Sequence, residues 1–103
     1  MKHAAETPDP VVIRVWQDDD SDVFALFPIL PADDAGQFCT CYQRVGQHSA
    51  ADYRLCISKS RPATAEEAAP LLEELRRIGY NPQLIRRAHP GHHKSRRQWS
   101  KVA

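Results

Sequence analysis

The chain has 103 residues, 42% hydrophobic and 26% charged, with 14 Lys and Arg against 13 Asp and Glu for a formal net charge of +1. This is the composition of one small soluble domain, which excludes a multidomain enzyme, a disordered or fibrous chain and a disulfide-dense scaffold. The longest nearly apolar run, Val23 to Leu30, is interrupted by Pro28 and falls far short of the roughly 20 residues of a membrane helix, so no membrane partner is expected.

Residues 1–10 are polar, carry Pro8 and Pro10, and read as a disordered N-terminal arm without the apolar core of a secretory signal. A single domain is expected over residues 11–87. Val11 to Trp16, rich in β-branched side chains, predicts a strand. Asp18, Asp19, Asp20, Ser21 and Asp22 predict a turn, and Val23 to Phe27 a second strand that pairs with the first as a hairpin and is stopped by Pro28 and Pro31. A turn at Asp33-Asp34-Ala35-Gly36 leads into a third strand, Phe38 to Val45, with Cys39 and Cys41 on one face and Thr40 and Tyr42 on the other. Gly46 to Ala50 reads as a loop. Asp52 to Ser58 reads as a fourth strand, with Tyr53, Leu55 and Ile57 opposite Arg54 and Cys56.

The clearest helix begins at Thr64, where Glu67 three residues on completes a capping-box pattern. Ala68, Leu71, Leu72, Leu75 and Ile78 form its apolar stripe, Arg76 and Arg77 suit its C-terminal dipole, and Gly79 is placed to end it. Pro70 predicts a kink or a later start. Gln83 to Arg87 reads as a fifth strand, and residues 88–103 as a flexible basic C-terminal tail. The expected fold is therefore α+β: a mainly antiparallel sheet of four to five strands with one helix packed on one face, order β-β-β-β-α-β, with flexible termini. A domain this small gains burial by pairing, so a homodimer is expected.

Several segments act together as a pattern: Cys39-Thr40-Cys41-Tyr42, Val45-Gly46-Gln47-His48-Ser49, Asp52-Tyr53, Arg61-Pro62-Ala63-Thr64 before Glu66-Glu67, and Glu74-Leu75 before Ile78-Gly79-Tyr80. Over roughly residues 39–87 this resembles a family of small uncharacterised proteins carried by bacterial plasmids and other mobile elements. Pro70 stands where such proteins are usually polar, and the basic tail lies outside the resemblance. The resemblance implies a mobile-element setting, in which DNA handling and gene regulation are common, and carries over no activity.

The near-zero net charge conceals a division. Residues 1–52 hold 3 basic and 9 acidic side chains, and residues 53–103 hold 11 basic and 4 acidic, giving −6 and +7. After Glu74 come eight cations and no anion. Such asymmetry points to nucleic acid, an acidic membrane or an acidic protein as partner. Guanidinium and ammonium groups meet phosphates and release counterions. On this basis the candidate nucleic-acid-binding residues are Arg86, Arg87, Lys94, Arg96, Arg97 and Lys101, with Trp99 placed to stack on an unpaired base. The plainer alternative is a solvated tail.

Other candidates are weaker. Cys39-x-Cys41 with Cys56 and His48 offers zinc-ligand types, but without a second pair at ligand spacing, so buried free thiols and no metal are expected. Three cysteines leave at least one unpaired, which suits a reduced, cytoplasmic protein. His89-x-x-His92-His93 is a second possible metal cluster, which the plain basic tail outweighs. Cys41 with His48, or His48 with Tyr53 and arginines, has the residue types of a small hydrolase or nuclease but no accompanying motif. The Asp18–Asp22 cluster lacks the ligand spacing of a calcium loop and instead suits a partner for the basic tail. The expected function is non-enzymatic nucleic-acid binding of a regulatory kind, without a small-molecule cofactor. The alternative is a protein–protein adaptor using the acidic turns or an open sheet edge.

Overall fold

The computed structural model describes the backbone of residues 8–18, 22–44 and 46–102, with side chains described through Gln98. Residues 1–7 of the expected arm and Asp19, Asp20 and Ser21 of the acidic turn lie outside the described residues.

The first hairpin forms from two runs rich in β-branched and aromatic residues on either side of the acidic segment. Strand β1 (Asp9–Trp16) pairs antiparallel with β2 (Val23–Pro31), setting Val12 opposite Leu26 and Val15 opposite Val23. The prolines do not stop β2. They fall where its register against β3 (Cys39–Gln43) shifts between Phe27 and Pro31, so neither proline needs to donate to the ladder there. Gly46, at φ +78°, precedes β4 (Gln47–Ala51), which pairs antiparallel with β3 from Gln43–Gln47 to Cys39–Ala51. Residues 47–51 are thus a strand, where a loop was expected over most of this stretch.

The expected fourth strand is a helix, α1 (Tyr53–Ser58). Asp52 caps it, its Oδ1 accepting from Leu55 N–H at 3.2 Å. Period-two and period-3.6 readings are hard to separate over six residues. Burial follows the helical one, with Tyr53, Cys56 and Ile57 inward and Leu55 exposed. Strand β5 (Ser60–Pro62) then returns antiparallel to the end of β1, Trp16 facing Ser60.

Helix α2 (Ala65–Arg77) begins with the expected capping box. Glu67 N–H donates to Thr64 Oγ1, and Thr64 N–H donates back to Glu67 Oε1. Gly79, at φ +115°, closes it in a Schellman motif in which Tyr80 N–H bonds Leu75 O and Gly79 N–H bonds Arg76 O. Pro70 sits inside the helix on its exposed side. Strand β6 (Pro82–Leu84) runs parallel to the start of β1, Asp9 facing Pro82, and is shorter than the expected 83–87. The order across the sheet is β4-β3-β2-β1, with β5 and β6 sharing the far edge of β1.

The protein is thus α+β with a mainly antiparallel, open sheet. Val11, Ile13, Ala25, Phe27 and Tyr42 pack against Ala68, Leu71 and Leu75 of α2. Each buried leucine there contributes about 1.5–3 kcal/mol. Sheet covering is not confined to that one helix. On the opposite face Val12, Phe24, Leu26, Cys39 and Cys41 meet Ala51 and Cys56 of the α1 side, while a third helix, α3 (Pro90–Val102), packs on β2. The stretch expected as a flexible tail is therefore a layer of the fold. Its polar composition hid this because an arginine, not an apolar stripe, anchors it. Among the described residues no helix is long and apolar enough to cross a membrane.

Candidate functional site

The face of the sheet that carries α1 and α3 also carries an open cleft of about 800 Å³. β1 contributes Arg14, which shares the inward parity of Val12 and Trp16. α1 contributes Tyr53, Arg54 and Ile57, the chain after β6 contributes Arg86 and Arg87, and α3 contributes His93, Arg96 and Arg97. Tyr53 holds these pieces together. Its Oη accepts from Ala88 N–H at 2.7 Å, and its ring meets His93 edge to face at 4.8 Å.

Six guanidinium groups therefore line one cleft, beside a single carboxylate, Asp52. Among the described residues the ion pairs are Arg44–Glu74 at 3.6 Å and Arg61–Glu67 at 2.8 Å, and none of the six arginines takes part in either. Asp52 spends one oxygen on the α1 cap. The cleft is a concentrated positive field, an arrangement that gathers anions.

The six arginines divide by role. Arg54, Arg86, Arg87 and Arg97 are exposed, as is Lys94 of α3. Arg96 is not available for phosphate as expected, because only 4% of it is exposed and its guanidinium donates inward. Nη1 bonds Pro28 O at 2.7 Å, Nε bonds Gly36 O at 2.8 Å and Nη2 bonds Gln37 O at 3.3 Å. It clamps α3 onto the irregular end of β2, where Pro28 lies outside the paired register. Trp99 and Lys101 lie in α3, with side chains outside the described residues. Of the seven expected contacts the cleft gathers Arg86, Arg87, Arg96 and Arg97, and Lys94 lies on the same helix beyond its lining. Arg14, Tyr53, Arg54 and His93 were missed as contacts. The one available signal was Arg14 itself, a charge at an inward position of an otherwise apolar strand.

Burial lowers the affinity of Arg14 and Arg96 for their protons, yet both remain cations because a guanidinium keeps its charge in proteins. His93 is pushed down by burial first, then by Arg96, Arg97, His92 and Arg54. Its Nδ1 lies 2.8 Å from Arg96 Nη1, so it accepts and the ring is neutral.

The remaining candidates sit elsewhere. Cys39, Cys41 and Cys56 are free buried thiols. Burial pushes Cys39 up to about 12 and Cys41 to about 11. His48 faces the other side of the sheet, opposite Tyr42 in the β3–β4 register, with Nε2 3.0 Å from Tyr80 Oη. Cys41 and His48 thus lie on opposite faces and form no nucleophile–base couple, and His48 is likewise separated from Tyr53. Tyr42 Oη donates to Glu74 and accepts from Gly46 N–H, pinning the β3–β4 turn to α2. No family model, curated protein or solved structure matches the chain.

Proposed function

We propose that this chain is a non-enzymatic nucleic-acid-binding protein of regulatory kind that holds phosphates in the arginine-lined cleft. One observation carries the reading: six arginines surround the cleft and none is neutralised by an ion pair among the described residues. Arg54, Arg86, Arg87 and Arg97, with Lys94 beside them, meet the backbone, while Arg96 holds α3 in place. Phosphate contacts of this kind fix position more than sequence, so weak sequence preference is expected. The reading places the protein in the cytoplasm in a mobile-element setting, acting as a homodimer.

Engagement of four phosphates gives a slope of log affinity on log salt of about −3 to −4. Fluorescence anisotropy with labelled oligonucleotides across about 50–200 mM salt measures it. The double substitution Arg86→Ala and Arg87→Ala should weaken binding at least tenfold. Absence of binding at low salt, or affinity indifferent to both salt and the double substitution, would refute the reading.

A second reading has its own support. β4 ends the sheet, and Gln47 to Ala50 are exposed along that open edge, which suits an adaptor that accepts a partner's strand. Retention of a protein partner by the double variant that has lost nucleic acid would favour it.

A further inference from the structure

Arg14 differs from the arginines at the mouth of the cleft. It is only 9% exposed, and two of its nitrogens are committed: Nε donates to Ser60 Oγ at 2.9 Å, and Nη2 to Ser60 O at 2.7 Å and Ile57 O at 3.2 Å. Those acceptors are neutral and belong to α1 and β5. Nη1 has no hydrogen-bond partner among the described residues. Every fully buried side-chain nitrogen or oxygen among them does have one, so Nη1 reaches solvent, and it does so through the cleft that Arg14 lines. The sheet therefore fixes a guanidinium by two of its nitrogens and leaves the third, with two N–H donors, facing a recess whose one carboxylate, Asp52, makes no ion pair with it. Burial of an uncompensated cation is unfavourable, and an oxygen anion seated on Nη1 removes the penalty.

The depth of this group selects among nucleic acids. A duplex carries its phosphates on the outside of a stiff rod, with a persistence length of about 150 base pairs, and its bases are turned inward. Such a rod can rest on Arg54, Arg86 and Arg87, but it cannot lower a phosphate between α1 and α3. An unpaired strand is narrow and flexible, and it brings bare base faces. The same recess offers those faces Tyr53, Ile57 and Pro62. We infer, on the strength of the nucleic-acid reading above, that the cleft takes a single unpaired strand, with one phosphate on Nη1 of Arg14 and an adjoining base against Tyr53 and Ile57.

The test uses the full chain with a labelled ten-nucleotide oligothymidylate and a duplex of equal length at one low salt concentration. The single strand should bind at least tenfold more tightly. Arg14→Gln should abolish that preference, lowering single-strand affinity at least tenfold and leaving duplex affinity within twofold. Guanidinium resonances of the unmodified protein provide the second measurement, which serves equally if the variant fails to fold. Arg14 should shift on titration with the single strand and stay in place with the duplex. Equal affinity for the two nucleic acids, or an Arg14 signal indifferent to the single strand, overturns the inference while leaving binding at the cleft mouth intact. Loss of binding to both forms by the unmodified chain would instead defeat the broader reading.

Discussion

Replacing Arg96 by glutamine separates a structural clamp from a phosphate contact. The guanidinium makes two short bonds to backbone carbonyls, Pro28 O at 2.7 Å and Gly36 O at 2.8 Å, a longer one to Gln37 O at 3.3 Å, and one to His93 Nδ1 at 2.8 Å within its own helix. Hydrogen bonds from a charged donor contribute about 1.5–3 kcal/mol each. The two short bonds alone therefore give roughly 3–6 kcal/mol, and glutamine cannot span both acceptors. A loss of about 3–5 kcal/mol is expected, because glutamine keeps at most part of one of these contacts. A domain of this size has only about 5–15 kcal/mol in total, and at about 4–8 °C per kcal/mol the midpoint should fall by at least about 12 °C. Urea and thermal unfolding followed by circular dichroism measure both quantities. Lysine should recover little, because a point charge cannot reproduce the fork. A change below about 1 kcal/mol, accompanied by loss of nucleic-acid affinity, would refute the clamp and restore Arg96 to the role its sequence neighbourhood suggests.

His93 and His92 both bind protons less readily in the folded protein than the ordinary 6.5, chiefly through burial. Their contribution to stability is therefore complete above about pH 6.5 and declines as pH falls below it, since the unfolded chain takes up protons first. Unfolding midpoints between pH 8 and 5 test this, and an anion seated beside His93 should raise its titration midpoint by NMR. Thr64→Ala removes the α2 cap and should cost about 1 kcal/mol in urea unfolding. Glu67 is held down to about 2, first by Arg61 and then by the Thr64 N–H. The capping box should accordingly persist as pH falls below 4.5 and be lost only as pH approaches 2, visible as late fraying of α2. Cys39 and Cys41, raised to about 12 and 11, should resist a thiol reagent at pH 8 and react only on unfolding.

Much of the framework is carried by local signals that act at short range. Helix α2 is encoded by Thr64, Glu67, the Leu71–Leu75 stripe and Gly79, each acting within a turn or two of its neighbours. The β1–β2 hairpin is encoded by two apolar runs flanking a segment of acidic residues. The α+β class follows from these together, as does the concentration of positive charge after Glu74.

Other features rest on partners distant in sequence. Six residues from Tyr53 to Ser58 fit either period, and the sheet decides by burying Cys56 and Tyr53 while leaving Leu55 out. Helix α3 is too polar to announce a buried face. It is held because Arg96 reaches carbonyls sixty and more residues earlier, Pro28 O where the β2–β3 register shifts and Gly36 O in the turn after β2. For the same reason the basic residues could be counted in the sequence but not sorted. Composition supplied the cations, whereas only the packing of α1 beside β5 and of α3 over β2 determined that Arg96 turns inward, that Arg14 joins the cleft from the other end of the chain, and that Arg54, Arg86, Arg87 and Arg97 remain open to solvent. Charge is a local property of each side chain, but whether it is spent inside the fold depends on contacts that no short window of sequence contains.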